Sequence, residues 1–379
     1  MKSVVVTGIG LVSALGESLE TSWKNLITNK SGIKLIQPFA ELESLPLAMI
    51  GKQPAELQTL TRLAVSSAMV DSGLISPLPD CGVVIGSSRG FLADWEKFAR
   101  QIYGNEQNSF SPPSFIETLP HMNAIAAARQ IGATGIVLAP MAACATGIWA
   151  LSQATMLIQT GQCDRVVAGA VEAPITPLTI TGFEQMGALA KTGAYPFDVN
   201  REGLVLGEGG AVFVLESREL AEARQARIYG EILGFGLTAD AYHPNSPQPE
   251  GKSATIAIKQ CLQQSNLQSS HIDYVHAHGT GTIQNDEVEG RIIRGVFTHY
   301  PYVSSTKGAT GHTIGASGAL GVAFSLMALQ QQILPPCVGV RKSGFDLNLV
   351  RESSVNKIKY AMCLSFGFGG ANAVIALGR

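Results

Sequence analysis

With 379 residues, 46% of them hydrophobic and 15% charged, the chain is long enough for one large domain or two ordinary ones and has the material for a sizeable core. A formal net charge of −2 carries no polyanion-binding signal, which argues against a nucleic-acid partner. The six cysteines, at 81, 144, 163, 261, 337 and 363, show neither a CxxC pair nor a Cys/His metal spacing, so we expect no disulfide framework and no metal site.

The N-terminus, MKSVVVTGIG, is too short an apolar run for a signal sequence, and we read no uncharged apolar segment of membrane-spanning length. The expectation is a soluble cytoplasmic protein with no membrane association. SVVVTGIG reads as a buried strand running into a glycine turn, with a helix following through SLETSWKNLI. A dinucleotide fingerprint fails there, because Ser13 stands where the third Gly or Ala is required. CGVVIGSS, GIVLAPMA, RVVAGAVEA and GAVFVLES read as further strands, and helical patterns cover 148–160 and 252–264. The charged stretch RELAEARQAR, 218–227, is a helix-forming connector, and a second round of similar rhythm follows it. This alternation predicts an α/β fold in two halves, 1–225 and 226–379, although no direct repeat is legible. DAYHPNSPQPE, 240–250, is a loop because of its three prolines.

Cys144 lies in MAACATG, between the apolar run Ile136–Leu138 and the helix pattern that ends at Gly161. A helix N-terminus there favours an anion, so the thiol pKa is expected to be lowered. A buried structural cysteine is the plain alternative, and position alone does not separate the two. Two further junctions carry reactive groups, HAHGTGT with His278 and SSTKGATGH with Lys307 and His312, and SFGFGG offers a glycine turn around two aromatics.

The ordered set VVVTGIGLVSALG, AACATG, PFDVNREGLVLGEGG, GFGLTADAYH, AHGTGT, SSTKGATGHTIGASG and SFGFGGANA, spread nearly end to end, resembles the elongating β-ketoacyl-acyl-carrier-protein synthases of the thiolase-like superfamily. The resemblance implies a five-layered αβαβα sandwich of two duplicated halves, in a homodimer. It implies a decarboxylative condensation of an acyl thioester with malonyl-acyl-carrier protein, with no cofactor of the chain's own, because the carrier brings the phosphopantetheine.

It also implies roles. Cys144 takes the acyl chain, and His278 and His312 donate hydrogen bonds to the enolate. Lys307 orders the charges, and Glu289 is a supporting carboxylate. The Cys144 and Phe368 amides form an oxyanion hole, and Phe368 gates the second substrate. Thr280 and Thr282 hold the pantetheine. One departure stands out: Gly321 occupies a position where such enzymes usually carry Glu, which leaves Lys307 short of a partner. His312 argues against chain-initiating relatives. Cys363 precedes the glycine loop in which degradative thiolases keep a second cysteine, so it reads as a strand residue. The competing expectation is a catalytically weak subunit that binds carrier protein and pairs with an active synthase.

Overall fold

In the computed structural model, which describes residues 2–104 and 112–379, the first half supplies strands β1 (Val4–Ser13), β2 (Gly82–Gly86), β3 (Val137–Leu138), β4 (Arg165–Glu172) and β5 (Gly209–Ser217). They lie in the order β3-β2-β4-β5-β1. β3, β2 and β4 run parallel, and β5 is antiparallel to both its neighbours. The second half supplies β6 (Gly230–Ala239), β7 (Tyr274–His276), β8 (Tyr302–Ser304), β9 (Tyr360–Gly367) and β10 (Ala371–Gly378). Their order is β8-β7-β9-β10-β6, with the same directions strand for strand. This repeat of order and direction is the duplication that the sequence did not spell out. Antiparallel pairing of Val4–Val6 with Gly230–Ile232 joins the two half-sheets at their β1 and β6 edges.

Side-chain alternation along the strands sets the layers. From β4, Val166, Ala168 and Ala170 face inward. Val167 and Val171 face outward, onto helices α1 (Leu57–Ser72) and α2 (Met122–Ile131). From β9, Ala361 and Cys363 face inward. Met362 and Leu364 face the helices α4 (Lys252–Gln264) and α5 (Ile283–Val296). Between the sheets lie α3 (Thr146–Gln159) and α6 (Ser317–Gln331), which completes the αβαβα sandwich.

Two expectations need correction. Ile314–Gln331 is an 18-residue stretch long and apolar enough to cross a membrane, with mean hydropathy 1.2, contrary to our reading that none exists. It is 89% buried between the sheets, where both of its neighbouring layers are apolar, so its hydrophobicity is that of a core helix. The glycines of VVVTGIG, in turn, form no turn, because β1 continues through Ser13. A Cβ on Gly10 would lie 1.9 Å from the Ala64 carbonyl oxygen, so glycine there lets α1 settle directly on the strand. The helix that follows, Leu19–Ile27, starts at Ser18, whose hydroxyl accepts the Thr21 N–H.

Candidate active site

Cys144 sits in the short connection from β3 to α3. Ala143 adopts φ +47°, a left-handed conformation that L residues rarely take, and this reverses the chain just before the cysteine. Thr146 fixes the turn: its hydroxyl accepts the Ala142 N–H at 2.8 Å and donates to the Ala143 carbonyl at 2.7 Å. From the other half, Ser365 Oγ donates to the Cys144 carbonyl at 2.8 Å, which ties the cysteine to β9. The Phe368 N–H points at the sulfur.

The two histidines come from two other strand ends, His278 after β7 and His312 after β8. Their rings meet edge to face with centroids 5.4 Å apart. The Cys144 sulfur and one ring nitrogen from each histidine lie within 4.8 Å of one another. The hydrogen bonds behind the rings define their protonation. The Ile314 N–H donates to His312 Nδ1 at 3.1 Å, so that nitrogen is an acceptor and the proton is on Nε2. Lys307 Nζ lies 3.4 Å from His278 Nδ1 and also donates to the His278 carbonyl, which assigns the same tautomer. Burial first, and then the Lys307 charge, hold both imidazoles well below the ordinary histidine range. Two neutral rings therefore present Nε2–H donors toward the cysteine. The same contacts disfavour a metal: ligation through Nε2 requires a proton on Nδ1, and there the amide N–H of Ile314 and the ammonium of Lys307 already point.

Burial pushes the Cys144 thiol up to about 11, opposed more weakly by the Lys307 charge and the Phe368 N–H. This corrects the lowered pKa expected from the helix terminus. Cys144 is almost wholly buried where it borders the cavity, and loss of hydration outweighs the favourable charges around the sulfur.

Glu289, on α5, accepts the His278 N–H at 2.6 Å and the Gly279 N–H at 2.7 Å, and so holds the histidine loop from beneath. Burial raises its pKa and lowers that of Lys307, and the attraction between carboxylate and ammonium opposes both shifts. Thr280 and Thr282 hydroxyls bond each other at 2.8 Å and line the same cavity as Cys144. That cavity, of about 400 Å³, is also lined by His278, His312, Phe366, Phe368 and the 240–250 loop residues Asn245 and Gln248. On its other side Cys144 joins an apolar cluster with Leu47, Met49, Ile175, Ile180, Phe183, Leu204, Leu206 and Ile314. The Phe368 ring packs on Phe183 with centroids 5.8 Å apart, between cavity and cluster.

Every site residue read from the sequence thus borders one chamber or supports it. Cys363, by contrast, faces the central helices. Sequence reasoning missed Asp286, which accepts the Phe197 N–H at 2.7 Å and the Gly281 N–H at 3.2 Å. The signal was its i,i+3 spacing to Glu289 on one helix face. Also missed was Glu172, which accepts from Ser87 Oγ at 2.6 Å, the Arg89 N–H at 3.0 Å and the Gly315 N–H at 3.0 Å. It joins the turn after β2 to the loop after His312. No local pattern marks it.

A duplicated α/β sandwich with a cysteine at the head of a central helix, opposite two hydrogen-donating imidazoles, defines a thiolase-like acyl-transfer enzyme. Sequence comparison narrows the class. Residues 48–221 match the N-terminal domain of β-ketoacyl synthases, and residues 229–341 match the C-terminal domain. Over its whole length the chain is 34% identical to a 3-oxoacyl-[acyl-carrier-protein] synthase 2 of Coxiella burnetii, of which it covers 99%. Over 98% of each chain it is also 34% identical to a mitochondrial 3-oxoacyl-[acyl-carrier-protein] synthase described as putative in Schizosaccharomyces pombe. Among solved structures, a type II polyketide ketosynthase in complex with its acyl-carrier protein superposes with a TM-score of 0.94 at 28% identity, covering 100% of this chain and 99% of that one. The chain belongs to the β-ketoacyl synthase family.

Proposed function

We propose that the protein extends an acyl chain by two carbons through decarboxylative condensation with malonyl-acyl-carrier protein. The observation that carries this reading is the meeting of Cys144 Sγ with two imidazole nitrogens within 4.8 Å, both rings being tied at Nδ1. In the first half-reaction the Cys144 sulfur attacks the incoming acyl thioester, and the Cys144 and Phe368 amides stabilise the tetrahedral oxyanion. The pantetheine thiol leaves with the proton that Cys144 gives up. The acyl chain lies along the apolar cluster around Phe183. In the second half-reaction malonyl-carrier enters, with Thr280 and Thr282 holding its pantetheine arm. Loss of CO2 leaves an enolate whose oxygen lies between the two Nε2–H donors. Its carbon attacks the Cys144 thioester, releasing the β-ketoacyl-carrier and the Cys144 thiolate, which regains the thiol by taking up one proton from solvent. Phe368, between cavity and cluster, gates the second substrate, and Lys307 and Glu289 keep His278 in place.

The intact Cys-His-His geometry disfavours the reading as an inactive pairing subunit. The superposable ketosynthase bound to its carrier supports an acyl-carrier protein as partner. Self-association is supported by the sheet edge at β3, where Ile136, Val137 and Leu138 are only partly covered and Met141 is 56% exposed. Light scattering is expected to give twice the 39.9 kDa chain mass, and a monomer mass overturns the homodimer. A division of the chain into halves 1–225 and 226–379 follows the repeat of strand order. The six free, buried cysteines support a reducing, cytoplasmic location, which fractionation of the source cells tests. The activity itself is tested by two assays, acyl transfer to Cys144 followed by intact mass, and CO2 release from malonyl-carrier. Activity in neither overturns the proposal.

A further inference from the structure

One buried imidazole has no part in the chemistry above. His276, at the end of β7, is 2% exposed, and its ring lies in a hollow beside α6. Gly321 makes that hollow. A Cβ at position 321 would lie 2.7 Å from His276 Nδ1, 2.8 Å from His276 Cε1 and 2.8 Å from Cys363 Sγ. Any side chain there and the ring in its present place exclude each other. On its other edge, His276 Nε2 lies 3.2 Å from Thr306 Oγ1. Thr306 begins the short helix Lys307–Thr310, its carbonyl accepting the Ala309 and Thr310 N–H groups at 2.9 Å each. The next residue is Lys307, whose ammonium donates to the His278 carbonyl and faces His278 Nδ1. A continuous chain of contacts therefore runs from Gly321 through His276 and Thr306 to Lys307 and His278.

We propose that His276 is a positioning residue for decarboxylation: wedged into the space left by Gly321, it fixes the Thr306–Lys307 turn and thereby the ammonium that sets the tautomer of His278. The proposal rests on the reading of His278 as an enolate donor. The ring acts as an uncharged wedge. Burial and the nearby Lys307 charge keep it neutral, so it adds no second cation beside Lys307.

Three variants test this, each assayed for CO2 release from malonyl-carrier and for acyl transfer to Cys144. His276→Leu keeps bulk but loses the Thr306 contact. It is expected to lower the kcat of CO2 release by about ten- to a hundredfold, the scale on which displacement remote from the chemistry acts. The KM stays within about twofold, because substrate binding is not touched. Acyl transfer stays near wild type. His276→Gln places an amide within reach of Thr306 and restores most of the loss. Gly321→Ala, which presses on the ring from the other side, gives the same split between the two assays, and it serves should His276→Leu not fold. Lys307→Ala is the control. Wild-type CO2 release from His276→Leu or Gly321→Ala beside a crippled Lys307→Ala overturns the role of His276 and leaves the reading of the site intact. Wild-type release from all of them, Lys307→Ala included, overturns the role of His276 and that of Lys307 as well. Equal loss of both half-reactions, unrestored by Gln, reduces His276 to a packing residue and also overturns the proposal.

Discussion

The backbone N–H of Ile314 donates to Nδ1 of His312 at 3.1 Å, and the residue that provides it is itself held at φ +41°. A β-branched residue in that conformation is strained, and the surrounding packing sustains it. Its product is a histidine whose only free nitrogen carries a proton and faces Cys144. Nitrogen NMR of the enzyme is therefore expected to show His312 as the neutral Nε2–H tautomer, still neutral near pH 6.5, where an ordinary imidazole half-charges. Burial disfavours the imidazolium, so its folded pKa lies below the ordinary value and acid does not charge it there. A titration midpoint near 6.5 contradicts the assignment.

Removing that donor leaves the enolate with one imidazole. His312→Ala is expected to slow CO2 release from malonyl-carrier by about a hundredfold or more, the scale of losing one oxyanion-type donor. Acyl transfer to Cys144 is expected to fall far less. Equal losses in the two assays place His312 outside the decarboxylation step.

Cys144→Ala separates the half-reactions from the other side. Condensation is expected to vanish, since no acyl-enzyme forms, while part of the malonyl-carrier decarboxylation persists through the two histidines. Gas release and intact-protein mass measure the two, and unchanged condensation removes Cys144 from the mechanism.

The raised thiol pKa has a kinetic signature. Only the thiolate is alkylated, and burial favours the neutral thiol, so the reactive fraction grows as pH rises toward the folded pKa of about 11. Iodoacetamide labelling of Cys144 is expected to accelerate about tenfold per pH unit from 7 to 10, as for any acid titrating above that window. A rate that is already flat by pH 8 shows that the charges around the sulfur outweigh its burial.

The two central helices touch at Gly147. A Cβ there would lie 2.5 Å from Ala319 N, so Gly147→Ala forces α3 and α6 apart. Overpacking of this kind costs about 1–3 kcal/mol, read as a lower denaturant midpoint with an unchanged slope. An unshifted midpoint means that the layer between the sheets yields without cost.

Short-range pattern in the chain suffices for the alternation of strands and helices, the loop at 240–250 and the local setting of each reactive residue. Apolar periodicity, Gly stops and prolines act over a few residues and are legible as such. The helix at Lys252–Gln264 falls on the pattern that announced it. Local reading erred where the partner was distant. Gly8 and Gly10 looked like a turn, but α1 lying against them makes them strand positions. Ile314–Gln331 carried a membrane-like composition because two sheets enclose it. The lowered thiol pKa was argued from the helix alone, whereas enclosure by both halves sets its direction. Long-range packing alone brings Cys144, His278 and His312 into one chamber, ties both rings at Nδ1 and fills the space beside Gly321 with His276. Those facts rest on hydrogen bonds and van der Waals contacts between residues as far as 221 positions apart, and such contacts leave no period or spacing in the chain.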